Sequence, residues 1–149
     1  MSGDLRDLYQ DVILEHSKRP RNFRTLDGAA HKAEGYNPLC GDKVTVYVTV
    51  EDGVVKDVAF QGSGCAISTA SASVMTETLK GKPRAEVERL FRTFHGLVTG
   101  AHTPASELGK LAVFAGVREF PTRVKCATLA WHTLHAALED RGKPVTTED

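Results

Sequence analysis

The sequence predicts an α+β domain: a small antiparallel β-sheet with helices packed on one face. Three observations carry this prediction. Apolar residues near the N-terminus recur at helical spacing. The stretch from Val44 to Gln61 switches to period two on either side of a turn. Helical spacing then returns for most of the remaining chain. Segregated helices and strands, as opposed to strict alternation, argue for α+β over a parallel α/β sheet.

Each element has a local reason. Leu5, Leu8, Tyr9, Val12 and Ile13 form one apolar stripe, so a helix opens the chain. Pro20 stops it, because proline lacks the N–H that a helix needs. Residues 19–39 read as irregular chain with a short strand near Lys32–Gly35. Val44, Val46, Val48 and Val50 alternate with Thr45, Tyr47 and Thr49, the pattern of a half-buried strand. Asp52-Gly53 is a hairpin turn, and a second strand follows from Val54 to Gln61. Two strands joined so tightly run antiparallel.

After Gly62-Ser63-Gly64, residues Cys65 to Lys80 read as a helix rich in small side chains, ended by Gly81 and Pro83. Val87, Leu90, Phe91, Phe94 and Val98 mark a second, amphipathic helix. Thr103-Pro104 looks like a cap followed by proline at the first helical position, opening a helix with Leu108, Leu111, Ala112 and Ala115. The last helix is predicted from about Arg123 to Asp140, with Val124, Ala127, Trp131, Leu134 and Leu138 on its buried seam. Gly142 and Pro144 close it and leave a polar, mobile tail over residues 140–149.

The 149 residues suit a single domain spanning the whole chain. Lys plus Arg equals Asp plus Glu, at 19 each, so no global charge favours nucleic acid or an anionic membrane. No apolar run approaches the roughly 18 residues of a membrane span. Met1 to Gln10 has no apolar signal-peptide core, so the expected location is cytoplasmic. The chain has three cysteines, Cys40, Cys65 and Cys126. An odd, widely spaced set in a reducing compartment argues against a disulfide framework.

Their settings suggest chemistry. Cys40 sits in Pro38-Leu39-Cys40-Gly41-Asp42, where Gly41 can turn the chain so that Cys40 and Asp42 face one point. Cys65 follows two glycines at a helix start, where unpaired N–H groups favour a thiolate. Cys126 is expected in the first turn of the last helix, with the same bias. Three thiols and the Asp42 carboxylate make four possible ligands, the number tetrahedral zinc takes. Arg123 and Lys125 flank Cys126 and would offset the negative charge of such a site. The spacing is unlike a C-x-x-C knuckle, and three buried cysteines acting as small hydrophobes remain the competing reading. Gly62-Ser63-Gly64 is not followed by the Lys-Ser/Thr of a phosphate loop, and the glycines are read as allowing close approach to a metal site. His16, His31, His95, His102, His132 and His135 are read as surface or packing residues. Ser68, Ser71 and Ser73 lack a nucleophile elbow and are read as helix packing.

Four segments carry a resemblance: H-S-K-R-P-R-N-F at 16–23, Y-N-P-L-C-G-D at 36–42, G-S-G-C-A-I-S-T-A-S-A-S at 62–73 and R-V-K-C-A-T-L-A-W at 123–131. In that order they resemble the SufU branch of the IscU/NifU N-terminal family of iron–sulfur cluster assembly proteins. The resemblance implies the α+β fold and a metal site of Cys40, Asp42, Cys65 and Cys126. It implies zinc, with iron or a 2Fe–2S cluster at the same site as the alternative. In the scaffold branch a histidine directly precedes the third cysteine, and here that position is Lys125. The scaffold branch also carries L-P-P-V-K, where this chain has Phe120-Pro121-Thr122-Arg123-Val124. The chain between the second and third cysteines is longer than in the scaffold branch, around the helix at 84–99.

The implied activity is that of a zinc-dependent sulfurtransferase. It would take persulfide sulfur from a SufS-like, pyridoxal-phosphate cysteine desulfurase and pass it toward a downstream iron–sulfur assembly scaffold. Cys40 is the expected acceptor, since a loop cysteine beside glycine can leave a coordination sphere. A histidine of the desulfurase is the implied replacement ligand. Arg123 is expected to steady the site charge or the incoming persulfide. A scaffold for a nascent cluster and a non-catalytic, zinc-stabilised adaptor are the alternatives.

Overall fold

The computed structural model describes residues 2–26, 28–29, 31–38, 41–99, 109–139 and 145–146, and its architecture is the expected α+β. The elements are α1 (Ser2–Lys18), β1 (His31–Asn37), β2 (Asp42–Glu51), β3 (Val54–Ser63), α2 (Ala66–Leu79), α3 (Arg84–Thr99), a 3₁₀ helix (Gly109–Glu119), α4 (Pro121–Leu138) and β4 (Val145–Thr146). The sheet order is β3-β2-β1-β4. β1, β2 and β3 form an antiparallel meander. Val44, Val46 and Val48 of β2 are buried under the helices, while Thr45, Tyr47 and Thr49 are half-buried on the opposite face. α4 lies against β1 and β2, and α2 packs against β3, α1 and α4.

The core centres on Trp131 of α4. It is fully buried and stacks on Phe94 of α3 with ring centroids 4.7 Å apart. Phe94 in turn meets Phe114 of the 3₁₀ helix edge-on at 5.9 Å. This aromatic column joins α3, the 3₁₀ helix and α4, which also pack against one another directly.

Four expectations need revision. The short strand near Lys32–Gly35 is longer, because every residue from His31 to Asn37 pairs with β2. The helix expected to carry Leu108, Leu111, Ala112 and Ala115 is a 3₁₀ helix over its described part, and the Thr103-Pro104 cap and Leu108 lie outside the described residues. Leu111, Phe114 and Val117 are all buried and recur every three residues, which suits a helix with three residues per turn better than one with 3.6. α4 begins at Pro121, two residues before Arg123, with the proline in the first turn where its missing N–H costs nothing. Within the polar tail, Val145 and Thr146 pair in parallel with Gly35 and Tyr36, adding β4 to the sheet.

The H-S-K-R-P-R-N-F segment fastens α1 to the rest. His16 is buried, with Nδ1 2.7 Å from the Ser73 hydroxyl of α2. The Arg21 N–H donates to the same hydroxyl, and Asn22 Nδ2 donates to Thr76 Oγ1. Phe60 then exchanges backbone hydrogen bonds with the end of this segment and the residue after it: its N–H reaches Asn22 O, and its carbonyl accepts from the Arg24 N–H. A second segment reaches β3 near Val55, where Val55 N–H donates to Lys82 O and Gly81 N–H donates to Val55 O.

Candidate metal centre

Strand register brings the site together. Asn37, the last residue of β1, pairs with Asp42, the first of β2. Next along β2, Lys43 pairs with Ser63, the last residue of β3. Gly64 and Cys65 follow at once, so Asp42 and Cys65 meet at one end of the sheet. α4 crosses this end and supplies Cys126. The carboxylate and thiol donor atoms of Asp42, Cys65 and Cys126 all lie within 4.8 Å of one another. Cys40 lies outside the described residues.

Two glycines permit this closeness. Gly41 takes a left-handed φ of 72° immediately before Asp42, a conformation that costs other residues Cβ strain. At Gly64, a Cβ would fall on the Asp42 carboxylate and within 3.1 Å of the Asp42 Cα. The chain therefore reaches Cys65 only by passing a bare backbone over Asp42. The glycines act as spacers beside the cluster, as the sequence suggests.

Hydrogen bonds fix each donor. Asp42 Oδ1 accepts from the Cys65 N–H at 2.8 Å, and Oδ2 accepts from Asn37 Nδ2 at 3.0 Å. Cys65 is the N-cap of α2, and its sulfur accepts the Ser68 N–H at 3.4 Å. This is the bond a capping serine or aspartate oxygen would make. Cys126 Sγ accepts from Asn37 Nδ2 at 3.4 Å.

These contacts set the charge. The Cys65 thiol is pulled down to a pKa of about 7, chiefly by the hydrogen bond from Cys126. Burial opposes the shift, the Ser68 N–H assists it, and the negative charge of Asp42 also opposes it. The Cys65 sulfur also lies 3.9 Å from Asp42 Oδ2, a contact that favours the protonated thiol, but the Cys126 and backbone donors prevail.

The structure separates the predicted residues. Asp42, Cys65 and Cys126 come together. Cys126 is not in the first turn of α4; it is the sixth residue of the helix, counted from Pro121, beyond the reach of the helix-terminal bias. Its polar partners include Asn37 and Cys65 instead. Arg123 is exposed, with its guanidinium 4.8 Å above the Phe120 ring, on the N-terminal turn that leads to Cys126. Lys125 is half-buried. Asn37 is the site residue that the sequence reading missed. Its signal was its position opposite Asp42 across the β1–β2 connection, legible only once β1 is known to extend to it.

The donor set fits zinc. Two sulfurs and a carboxylate oxygen are acceptable ligands, and zinc–sulfur bonds of about 2.3 Å put tetrahedral sulfurs roughly 3.8 Å apart, within the 4.8 Å that bounds the donor separations here. Among the described residues, Asp42, Cys65 and Cys126 are the one such group.

The model of the NifU-like N terminal domain matches residues 8–127. The iron–sulfur cluster assembly scaffold protein IscU of Streptococcus pyogenes serotype M1 is 43% identical over 136 residues, covering 91% of this chain and 85% of the relative. The zinc-dependent sulfurtransferase SufU of Bacillus subtilis (strain 168) is 37% identical over 134 residues, covering 89% of this chain and 90% of the relative. A crystal structure of a proposed iron–sulfur cluster assembly scaffold protein for the SUF system, from Fervidobacterium islandicum AW-1, superposes with a TM-score of 0.82. It is 36% identical and covers 85% of this chain and 93% of that one.

Proposed function

The chain belongs to the NifU-like N-terminal domain family of iron–sulfur cluster assembly, and from that footing we propose that it is a zinc-dependent sulfurtransferase. It takes persulfide sulfur from a pyridoxal-phosphate cysteine desulfurase and hands it toward a downstream assembly scaffold, in the cytoplasm. Among the described residues no helix is long and apolar enough to cross a membrane.

The observation that carries this reading is the donor set. Among the described residues, Asp42, Cys65 and Cys126 converge without an imidazole, and the residue before Cys126 is Lys125. Cys40 supplies the fourth ligand. Two peptide links separate it from Asp42, which limits their Cα separation to about 7.6 Å. Zinc, when bound, keeps the thiolates deprotonated and guards them against oxidation. Cys40, on the connection between β1 and β2, is the acceptor. Its thiolate attacks the outer sulfur of the desulfurase persulfide, a new S–S bond forms on Cys40, and the desulfurase cysteine leaves as thiolate. Sulfane sulfur moves and no net oxidation occurs. Cys65, held as the α2 cap, and Cys126, held by Asn37, stay in place. Arg123 steadies the incoming negative charge.

A second reading has its own support. The 43% identical relative is named a scaffold, and the same donors suit iron in a labile cluster cradle. Metal analysis and desulfurase turnover separate the two. Sulfur transfer predicts colourless protein with about one zinc per chain, stimulation of desulfurase turnover, and a trappable persulfide on Cys40. Brown protein holding iron and sulfide after anaerobic purification would favour the scaffold. A non-catalytic adaptor predicts no thiol turnover at all. Cys40→Ala should abolish stimulation, and full stimulation by that variant would remove Cys40 from the role.

A further inference from the structure

We propose that Asn37 is a positioning residue of the metal centre, whose buried side-chain amide holds the Asp42 carboxylate and the Cys126 sulfur in ligating position. The inference rests on reading this cluster as a metal site.

Asn37, Asp42 and Cys126 are 0%, 2% and 3% exposed, so water does not substitute for their contacts. One amide nitrogen reaches both neighbours, at 3.0 Å to Asp42 Oδ2 and 3.4 Å to Cys126 Sγ. The orientation of the amide follows from its surroundings. A carboxylate only accepts, so the NH₂ end must face Asp42, and its second hydrogen then points at the sulfur.

The backbone holds the amide still. Asn37 is register-paired with Asp42, and Pro38 restricts Asn37 to the extended backbone that continues β1. With Oδ1 tied to the Cys65 N–H and Oδ2 tied to Asn37, the carboxylate has one available plane. The N–H···S bond withdraws electron density from the Cys126 sulfur. A neutral donor does this without changing the charge of a site that already holds a carboxylate and thiolates. Second-layer donors of this kind orient ligands and tune metals.

The test compares wild type, Asn37→Ala and Asn37→Asp. Zinc affinity is measured by chelator competition, and the cobalt(II)-loaded proteins are compared by absorption. We expect both variants to bind zinc roughly 10- to 100-fold more weakly. In Asn37→Ala the sulfur-to-cobalt charge-transfer band should move to lower energy, because the sulfur regains electron density. Unchanged affinity and an unchanged band, with only the melting temperature lowered, would make Asn37 a packing residue and overturn the inference. Wild type that binds neither metal would instead refute the metal-centre reading beneath it.

Should the variants not fold, wild-type protein loaded with cadmium-113 carries the test. The Asn37 side-chain N–H should show a through-bond correlation to cadmium across Cys126. The Ser68 N–H, at the same 3.4 Å from Cys65, gives the matching correlation and serves as the sensitivity control. A missing Asn37 correlation beside a present Ser68 one overturns the inference.

Discussion

Replacing Cys126 by Ala should change how Cys65 reacts in the metal-free protein. The Cys126 hydrogen bond is the main reason the Cys65 thiol sits at a pKa of about 7. Without it, burial and the Asp42 charge outweigh the weaker pull of the Ser68 and Ile67 N–H groups, and the pKa should return at least to the ordinary value near 8.5. At pH 7 the thiolate fraction then falls from about one half to about 3%, roughly sixteenfold. A thiolate of higher pKa is intrinsically the better nucleophile, by about fivefold for this shift, so the disulfide-exchange rate at pH 7 falls only about threefold. The clear readout is therefore the midpoint of the rate–pH profile, not the rate at one pH. Exchange with an aromatic disulfide, followed on the Cys65 peptide by mass spectrometry, should give a midpoint near 7 in wild type and at or above about 8.5 in Cys126→Ala. A wild-type midpoint near 8.5, or one that Cys126→Ala leaves unmoved, would refute the reasoning.

Other consequences are as direct. Gly64→Ala pushes a methyl onto the Asp42 carboxylate and should cost about 1–3 kcal/mol in denaturant unfolding while weakening zinc binding in chelator competition. Trp131→Ala empties the centre of the aromatic column and should cost about 3–5 kcal/mol, read as a lower urea midpoint. Burial holds the His16 pKa below its ordinary value, so the unfolded chain takes up this proton at higher pH than the folded one. Stability should accordingly fall as pH drops through about 6.5 toward the folded pKa. In His16→Gln that part of the pH dependence should vanish from thermal melts; an unchanged slope would assign it to other groups.

Much of this was legible from residue order. Period-two valines give β2 because a half-buried strand has no other simple pattern. Asp42 and Cys65 could be named because their residue types are ligands and their glycine neighbours are unusual. What stayed hidden depends on tertiary pairing. Asn37 is not a metal-binding type, and only the β1–β2 register puts it opposite Asp42. The 3₁₀ helix hid because Leu111, Phe114 and Val117 at three-residue spacing also fit part of an α-helical stripe. The polar partners of Cys126 could not come from helix-start logic, since the helix begins earlier than its apolar seam. β4 is two residues long and gains its meaning only beside β1.

That short β4 has a further consequence. A β-sheet ends in strands whose outward N–H and C=O groups can recruit another chain. Here β4 lies on one border, along Gly35 and Tyr36, while Asn22, Arg24, Gly81 and Lys82 bond to the outward side of β3 at Phe60 and Val55 on the other. Both borders thus carry built-in stoppers against edge-to-edge aggregation. Cutting the chain before Val145 would unstop the β1 border, so a shortened protein should clump on concentration long before the Asp42, Cys65 and Cys126 group is disturbed.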